Sequence, residues 1–141
     1  LKIITNNINI VNIVSHSPHS EVWVAGGRLR SADNAVIGSV ASDFIKNFKI
    51  DYAIVGVSAI DKEGTLLDFD HDELMVTKSI YAQSRKIILI ADANKFERKA
   101  PYVTAHLKDV DIFVTDKKPS KDIIKICKQN NVELIISPPN S

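Results

Sequence analysis

Apolar positions along the chain fall in short runs separated by stretches with helical spacing. Lys2 to Thr5 reads as a strand. Asn6 or Asn7 then caps a helix whose apolar side carries Ile8, Ile10, Val11 and Val14. Glu21 to Ala25 reads as a second strand, rich in β-favouring residues and stopped by Gly26-Gly27. Val40, Ala41, Phe44, Ile45 and Phe48 predict a helix over 37–48. Asp51 to Val57 is a strand, 58–65 a polar loop turning at Glu63-Gly64, and 72–83 a helix. Lys86 to Ala91 is a near-continuous apolar strand and Ile112 to Thr115 another. A helix starting at Ser120 or Lys121 carries Ile123, Ile124 and Cys127, and Val132 to Ile136 closes as a strand.

Strands apolar on both faces and separated by helices predict an α/β fold. Its sheet is mostly parallel, with helices on both faces. In such sheets ligands bind beyond the carboxyl ends of the strands. The polar and glycine residues gather at those exits, in Thr5-Asn6-Asn7, Gly26 to Arg30, Gly56 to Asp61 and Asp92 to Lys95. Strand ends need polar caps and turns in any protein, so the same pattern also has a purely structural reading.

Composition narrows the class. At 141 residues, with 45% hydrophobic and 25% charged residues, the chain fits one globular domain. Eighteen basic against seventeen acidic residues leave a net charge of +1, which argues against a broad nucleic-acid surface on this segment. The one cysteine, Cys127, excludes an internal disulfide and a zinc cluster and fits a reducing, cytoplasmic setting. No apolar run reaches the roughly 18–20 residues of a membrane span, and no signal peptide is recognisable. The chain opens Leu1-Lys2-Ile3-Ile4-Thr5 without an initiator Met, which suggests a fragment whose natural start lies upstream.

The candidate chemistry sits on the exits. Gly26-Gly27-Arg28-Leu29-Arg30 follows a strand, where glycines admit a ligand to the backbone and an Arg can fork onto phosphate. Two glycines are also an ordinary turn, and no Walker or GxGxxG motif supports a nucleotide. Gly56-Val57-Ser58 lacks the GxSxG elbow of a serine nucleophile, leaving Ser58 and its neighbouring N–H groups as ligands for an anion or a hydroxyl. Asp68, Asp70 and Asp72 have the opening spacing of a calcium loop. Glu73 and Ser79 stand where that loop needs Gly and Glu, so no metal site is assigned. The acidic run suits a solvated first helical turn, with Glu73 free to meet substrate hydroxyls. Lys95, after Asp92, can neutralise a phosphate or can be a surface lysine. His16, His19 and His106 read as surface residues, and Lys121, Lys125 and Lys128 as a solvated helix face.

The loops in their order, Asn6-Asn7, WVAGGRLRS, VIGSVASDFI, FKIDYAIVGVSAIDKEGTLLDFD, Glu73 and SRKIILIADANKFER, resemble the C-terminal sensor domain of DeoR-type bacterial transcriptional repressors. The resemblance runs from about Lys2 to Ile136. It implies a fold related to ribose-5-phosphate isomerase and the CoA transferases, used for sensing with no catalytic residues and no cofactor. It implies residues 1–141 are one effector-sensing and oligomerising domain. A helix-turn-helix domain and a first phosphate-loop strand would precede it. The implied partners are a small phosphorylated polyol or sugar, glycerol 3-phosphate first among them, further copies of the chain, and operator DNA through the preceding domain only. Membranes are not implied. The implied effector pocket holds Asn6, Gly26, Gly27, Arg30, Gly56, Ser58, Asp61, Glu73, Asp92 and Lys95, with Arg30 and Lys95 on phosphate and Asp61 and Glu73 on hydroxyls. One departure stands out. The family's Lys four residues after Glu is Thr77 here, and Lys78 lies about 100° further round the helix. The rival reading is a sugar-phosphate isomerase or CoA-transferase-like enzyme with a carboxylate base. Turnover of ribose 5-phosphate would distinguish it.

Overall fold

The computed structural model describes residues 1–138. Its centre is a four-stranded parallel sheet of β5 (Ile50–Val55), β8 (Ser84–Ile90), β10 (Ile112–Thr115) and β11 (Glu133–Ile136), in the order β11-β10-β8-β5. A separate parallel pair joins β1 (Lys2–Thr5) to β2 (Glu21–Val24). Helix α1 (Ile8–Val14) links that pair. Asn7 caps it by accepting from the Asn9 N–H. Helices α2 (Ser39–Ile45), α3 (His71–Gln83) and α4 (Lys121–Gln129) complete the α/β architecture expected from the alternation of runs.

Alternate residues in the carboxyl-terminal halves of β5 and β8 and in β10 are buried. Ala53 and Val55, Ile87 and Leu89, and Phe113 share one core cluster with Ile123 and Cys127 of α4, while Ile80 and Tyr81 of α3 pack against it. Phe113 and Leu89 are fully enclosed. A second cluster, Ala25, Val36, Ala41, Ile45 and Val76, ties the end of β2 to α2 and α3. The Ser42 and Ser79 hydroxyls bond each other where α2 crosses α3, satisfying two buried polar groups.

The differences from the sequence reading are local and have causes. The helix predicted over 37–48 begins at Ser39, because Gly38 takes φ +95 and Ile37 is paired with Arg28 in a hairpin. That hairpin, β3 (Arg28–Arg30) with β4 (Ala35–Ile37), lies where glycine-arginine residues read as a loop. The polar stretch 58–65 contains β6 (Ala59–Ile60) and leads into β7 (Thr65–Asp68). With β9 (Tyr102–His106) these form a three-stranded antiparallel sheet. Strand β9 sits at that sheet's edge and follows Pro101, the position where a proline next to a strand is tolerated. His106 is not a free surface residue. It is half-buried, its Nδ1 accepts from the Lys108 N–H and its Nε2 lies 2.6 Å from the Glu63 carbonyl oxygen.

Candidate functional site

Most of the predicted residues follow the strands β1, β2, β5, β6 and β8, whereas Arg30 closes β3 of the antiparallel hairpin and Glu73 lies in the first turn of α3. Asn6 follows β1. Its side-chain amide donates to the Val36 carbonyl at 3.0 Å and its own carbonyl accepts from the Val36 N–H. Asn6 therefore fastens β1 to the β3–β4 hairpin. Gly26 and Gly27 follow β2 and differ in what they do. Gly27 has φ +145, and a Cβ there would meet Val36 Cγ1 at 3.0 Å and the Ile37 carbonyl at 3.1 Å, so backbone conformation and tight packing together favour glycine without any ligand. Gly26 and Gly56 have no left-handed φ, and a Cβ on either would meet nothing within 4 Å. No contact within the described residues requires glycine at these two strand exits.

Arg30 is at the end of β3 and its head group is heavily engaged. Its Nη1 donates to Glu73 at 2.8 Å and to Asp70 at 3.2 Å. Its Nη2 and Nε donate to Asp33 at 2.6 and 3.0 Å. Asp70 is also the N-cap of α3, accepting from the Asp72 N–H, and this fixes Glu73 in the first helical turn. The neighbouring Arg28 bonds Asp72. Two arginines thus face four carboxylates. The hydrogen bonds that Arg30 donates to Asp33 and Glu73 raise its pKa well above the ordinary value. Arg30 in turn holds Asp33 below the usual carboxylate range. For Asp70, burial opposes the shift, but the Asp72 N–H and Arg30 outweigh it and the net direction is also down. The structure brings Arg30 and Glu73 together as a pair rather than at opposite ends of a ligand.

Ser58, after β5, donates to Asp68 Oδ1 at 2.8 Å, and Thr104 of β9 donates to Oδ2 of the same carboxylate at 2.6 Å. Asp68 is only 3% exposed and anchors the Ser58 loop to the antiparallel sheet. Asp61 turns the next loop, its Oδ1 accepting from the N–H groups of Glu63 and Thr65. Asp92 caps the short 3-10 turn after β8 and lies 3.7 Å from Lys95. Asp61 also borders a cleft of about 280 Å³ with Ala93, Phe96, Lys117, Lys118 and Ser120. The last three follow β10, a strand exit the sequence reading left out. The rule that selected the other exits applies equally to Asp116-Lys117-Lys118-Pro119-Ser120. The buried Thr115 hydroxyl at the end of β10 has no partner among the described residues. Arg30 and Glu73 do not line this cleft, and the predicted residues are not gathered in one pocket: Arg30 and Glu73 pair in one cluster, Ser58 is held by Asp68, Asp61 borders the cleft, and Asn6, the three glycines, Asp92 and Lys95 lie in none of these groups.

The departure at Thr77 has a local explanation. The Thr77 hydroxyl bonds the Glu73 carbonyl at 3.1 Å, while Lys78 lines a different cleft beside Tyr81, Arg85 and Asp109. No cation stands one turn beyond Glu73 on its face. Among the described residues no group of three or more His, Cys, Asp or Glu is disposed to hold a metal ion.

Residues 1–117 match the family described as the DeoR C terminal sensor domain. The chain belongs to that family. The DeoR sensor domain is regulatory, and the relatives are named as repressors. The glycerol-3-phosphate regulon repressor of Escherichia coli (strain K12) is 35% identical over 134 residues, 95% of this chain and 53% of that protein. The HTH-type transcriptional repressor CsqR of the same organism is 35% identical over 136 residues, 96% and 52% of the two chains. The HTH-type transcriptional repressor GlcR of Bacillus subtilis (strain 168) is 27% identical over 135 residues, with the same coverage. The sensor domain thus spans about half the length of the curated relatives it matches. Among the described residues no helix is long and apolar enough to cross a membrane.

Proposed function

We propose that this domain binds a small phosphorylated polyol or sugar, glycerol 3-phosphate first among them, and that occupancy changes the operator affinity of a DNA-binding domain on the same polypeptide. The family match carries the sensing part of this reading, and the relative named for the glycerol-3-phosphate regulon directs the choice of ligand. The open exits carry the location. Gly26 and Gly56 leave bare backbone at the carboxyl ends of β2 and β5, where ligands of open α/β sheets bind. A side chain at either position would occupy space that the ligand needs.

The geometry also refines the assignment. Of the two cations expected on phosphate, Lys95 is tied to one carboxylate, at 3.7 Å, whereas Arg30 already serves three. Lys95 therefore carries the phosphate in this reading. Arg30 holds Glu73 in place to meet a hydroxyl, and Arg30 itself reaches phosphate only when a carboxylate yields. Asp61, held by two backbone N–H groups, orders the loop beside Ser58 and offers its second oxygen to a hydroxyl. Relief of repression follows as a population shift, with the bound ligand lowering operator affinity. A ligand binding one arrangement of the oligomer more tightly than the other moves the equilibrium by its differential affinity.

The test is a thermal shift and calorimetric titration of the full-length protein with glycerol 3-phosphate, glycerol and inorganic phosphate. Saturation at about 100 times Kd adds about 2.7 kcal/mol to stability. Binding that needs both the phosphate and the polyol, and that Lys95→Ala weakens, supports the reading. Equal responses to the ester and to phosphate alone would refute the polyol part. Binding untouched by Lys95→Ala and Gly56→Ala would remove the site from these strand exits.

A further inference from the structure

The cleft at the exits of β8 and β10 stands apart from the groups assigned to the effector. Of those groups Asp61 alone lines it, and one of its carboxylate oxygens is held by the N–H groups of Glu63 and Thr65. The cleft encloses about 280 Å³ over Phe96 and Ile123, which both pack into the main core. Lys62, Lys117 and Lys118 line it as well. All three are exposed, and among the described residues none is in an ion pair. Glu97, the second acid on its wall, is exposed too. Helix α4 begins here. Ser120 caps it by accepting from the Ile123 N–H, and the Lys121 and Asp122 N–H groups have no acceptor among the described residues. Beneath the cleft lies Thr115. It shares the buried face of β10 with Phe113, whose ring centroid is 6.1 Å from that of Phe96 and which packs in one cluster with Ile123. Thr115 is one step nearer the exit than Phe113. The next residue, Asp116, accepts at 2.7 Å from the N–H of Ala93, another wall of the cleft. The Thr115 hydroxyl is thus on the side of the sheet that carries the cleft. Thr115 is 3% exposed, and its hydroxyl is the buried side-chain group left without a partner among the described residues. Buried polar groups are seldom left so.

We infer that this cleft is a second binding site, for a small organic phosphate with an apolar body, an aryl phosphate being the simplest case. Three unpaired ammonium groups and the first N–H groups of α4 suit a phosphate dianion better than a single carboxylate. Phe96 and Ile123 give the body of the ligand an apolar surface to lie on. The volume is just under the lower end of ordinary small-molecule pockets, roughly 300 Å³, so the ligand is about one ring and its phosphate. A ligand oxygen reaching the floor gives the Thr115 hydroxyl the partner that the chain does not supply. The inference stands independently of whether glycerol 3-phosphate is the effector.

The test is calorimetric titration of the full-length protein with phenyl phosphate, with inorganic phosphate and glycerol 3-phosphate run beside it. Phenyl phosphate is expected to bind at least about ten-fold more tightly than inorganic phosphate, since its ring leaves water on the apolar floor. The double variant Lys117→Ala, Lys118→Ala is expected to weaken it by at least about ten-fold, and Thr115→Val by a similar factor. Lys128→Ala, exposed in the last turn of α4, is expected to leave it unchanged. Thr115→Val keeps the shape and removes the unpaired hydroxyl, so its urea midpoint is expected to hold or rise. A fallen midpoint with unchanged phenyl phosphate binding would make Thr115 a structural residue and overturn the inference. So would the absence of phenyl phosphate binding, or an affinity that the double lysine variant does not change. Equal affinities for phenyl phosphate and inorganic phosphate would remove the apolar floor from recognition. Displacement of phenyl phosphate by glycerol 3-phosphate would merge the cleft with the effector site, and either result overturns the inference as well.

Discussion

The carboxylate of Asp68 is the most informative single group to perturb. It is buried, and two hydroxyls donate to it, Ser58 at 2.8 Å and Thr104 at 2.6 Å. Hydrogen bonds to a charged group contribute about 1.5–3 kcal/mol each, and a buried donor left without a partner costs about 1–3 kcal/mol. Loss of the carboxylate's own desolvation offsets part of this. Asp68→Ala is therefore expected to destabilise the domain by about 2–4 kcal/mol. Asp68→Asn keeps the shape. Its carbonyl oxygen accepts from one hydroxyl and its amide donates to the other, which turns about its C–O bond to accept. That variant is expected to lose about half as much. Urea unfolding followed by circular dichroism measures both, and the Ala variant's midpoint falls by several degrees in a thermal scan. The difference between the variants is the decisive quantity. Equal losses would mean that charge, not the paired geometry, holds Asp68. A loss under about 1 kcal/mol in Asp68→Ala would mean that the Ser58 loop is not anchored this way at all.

Other outcomes follow from the same structure. Gly27→Ala is expected to cost about 1–3 kcal/mol of stability, because its φ is +145 and the new Cβ would press on Val36 and the Ile37 carbonyl. Gly56→Ala, with open space and no left-handed φ, is expected to stay within about 0.5 kcal/mol in denaturation yet lose effector binding in calorimetry. The Asp33 carboxyl is held below its ordinary value by the Arg30 hydrogen bond, so its contribution is complete above that ordinary value and is lost as the pH falls through the lower folded value. Stability titrated downward from about pH 6 is thus expected to converge for wild type and Asp33→Asn. The gap at neutral pH stays under about 1 kcal/mol, since the pair is partly exposed. Cys127 is 1% exposed and burial raises its thiol pKa, so a disulfide reagent is expected to modify it only at the rate of unfolding.

The order of the parallel strands and their helices, the α/β class and the concentration of polar residues at strand exits were legible in the chain. Runs such as Ile87 to Ile90 and the periodic positions of α4 are local statements about which faces must leave water, and local pattern is enough to read them. Asn7 and Ser120 as caps are equally local, because the bond spans two or three residues. The β3–β4 hairpin and the sheet of β6, β7 and β9 were not legible. Their strands are short or polar, and β9 meets β7 across more than thirty intervening residues. Only the folded chain decides which exits share a cluster. Arg30 lies forty-three residues from Glu73 and Ser58 ten from Asp68, and both pairings depend on how α3 and β7 are placed by the core. A side chain's chemistry is written at its own position. Whether it faces a ligand, a carboxylate or a backbone N–H is set by packing between distant segments, which no local pattern contains.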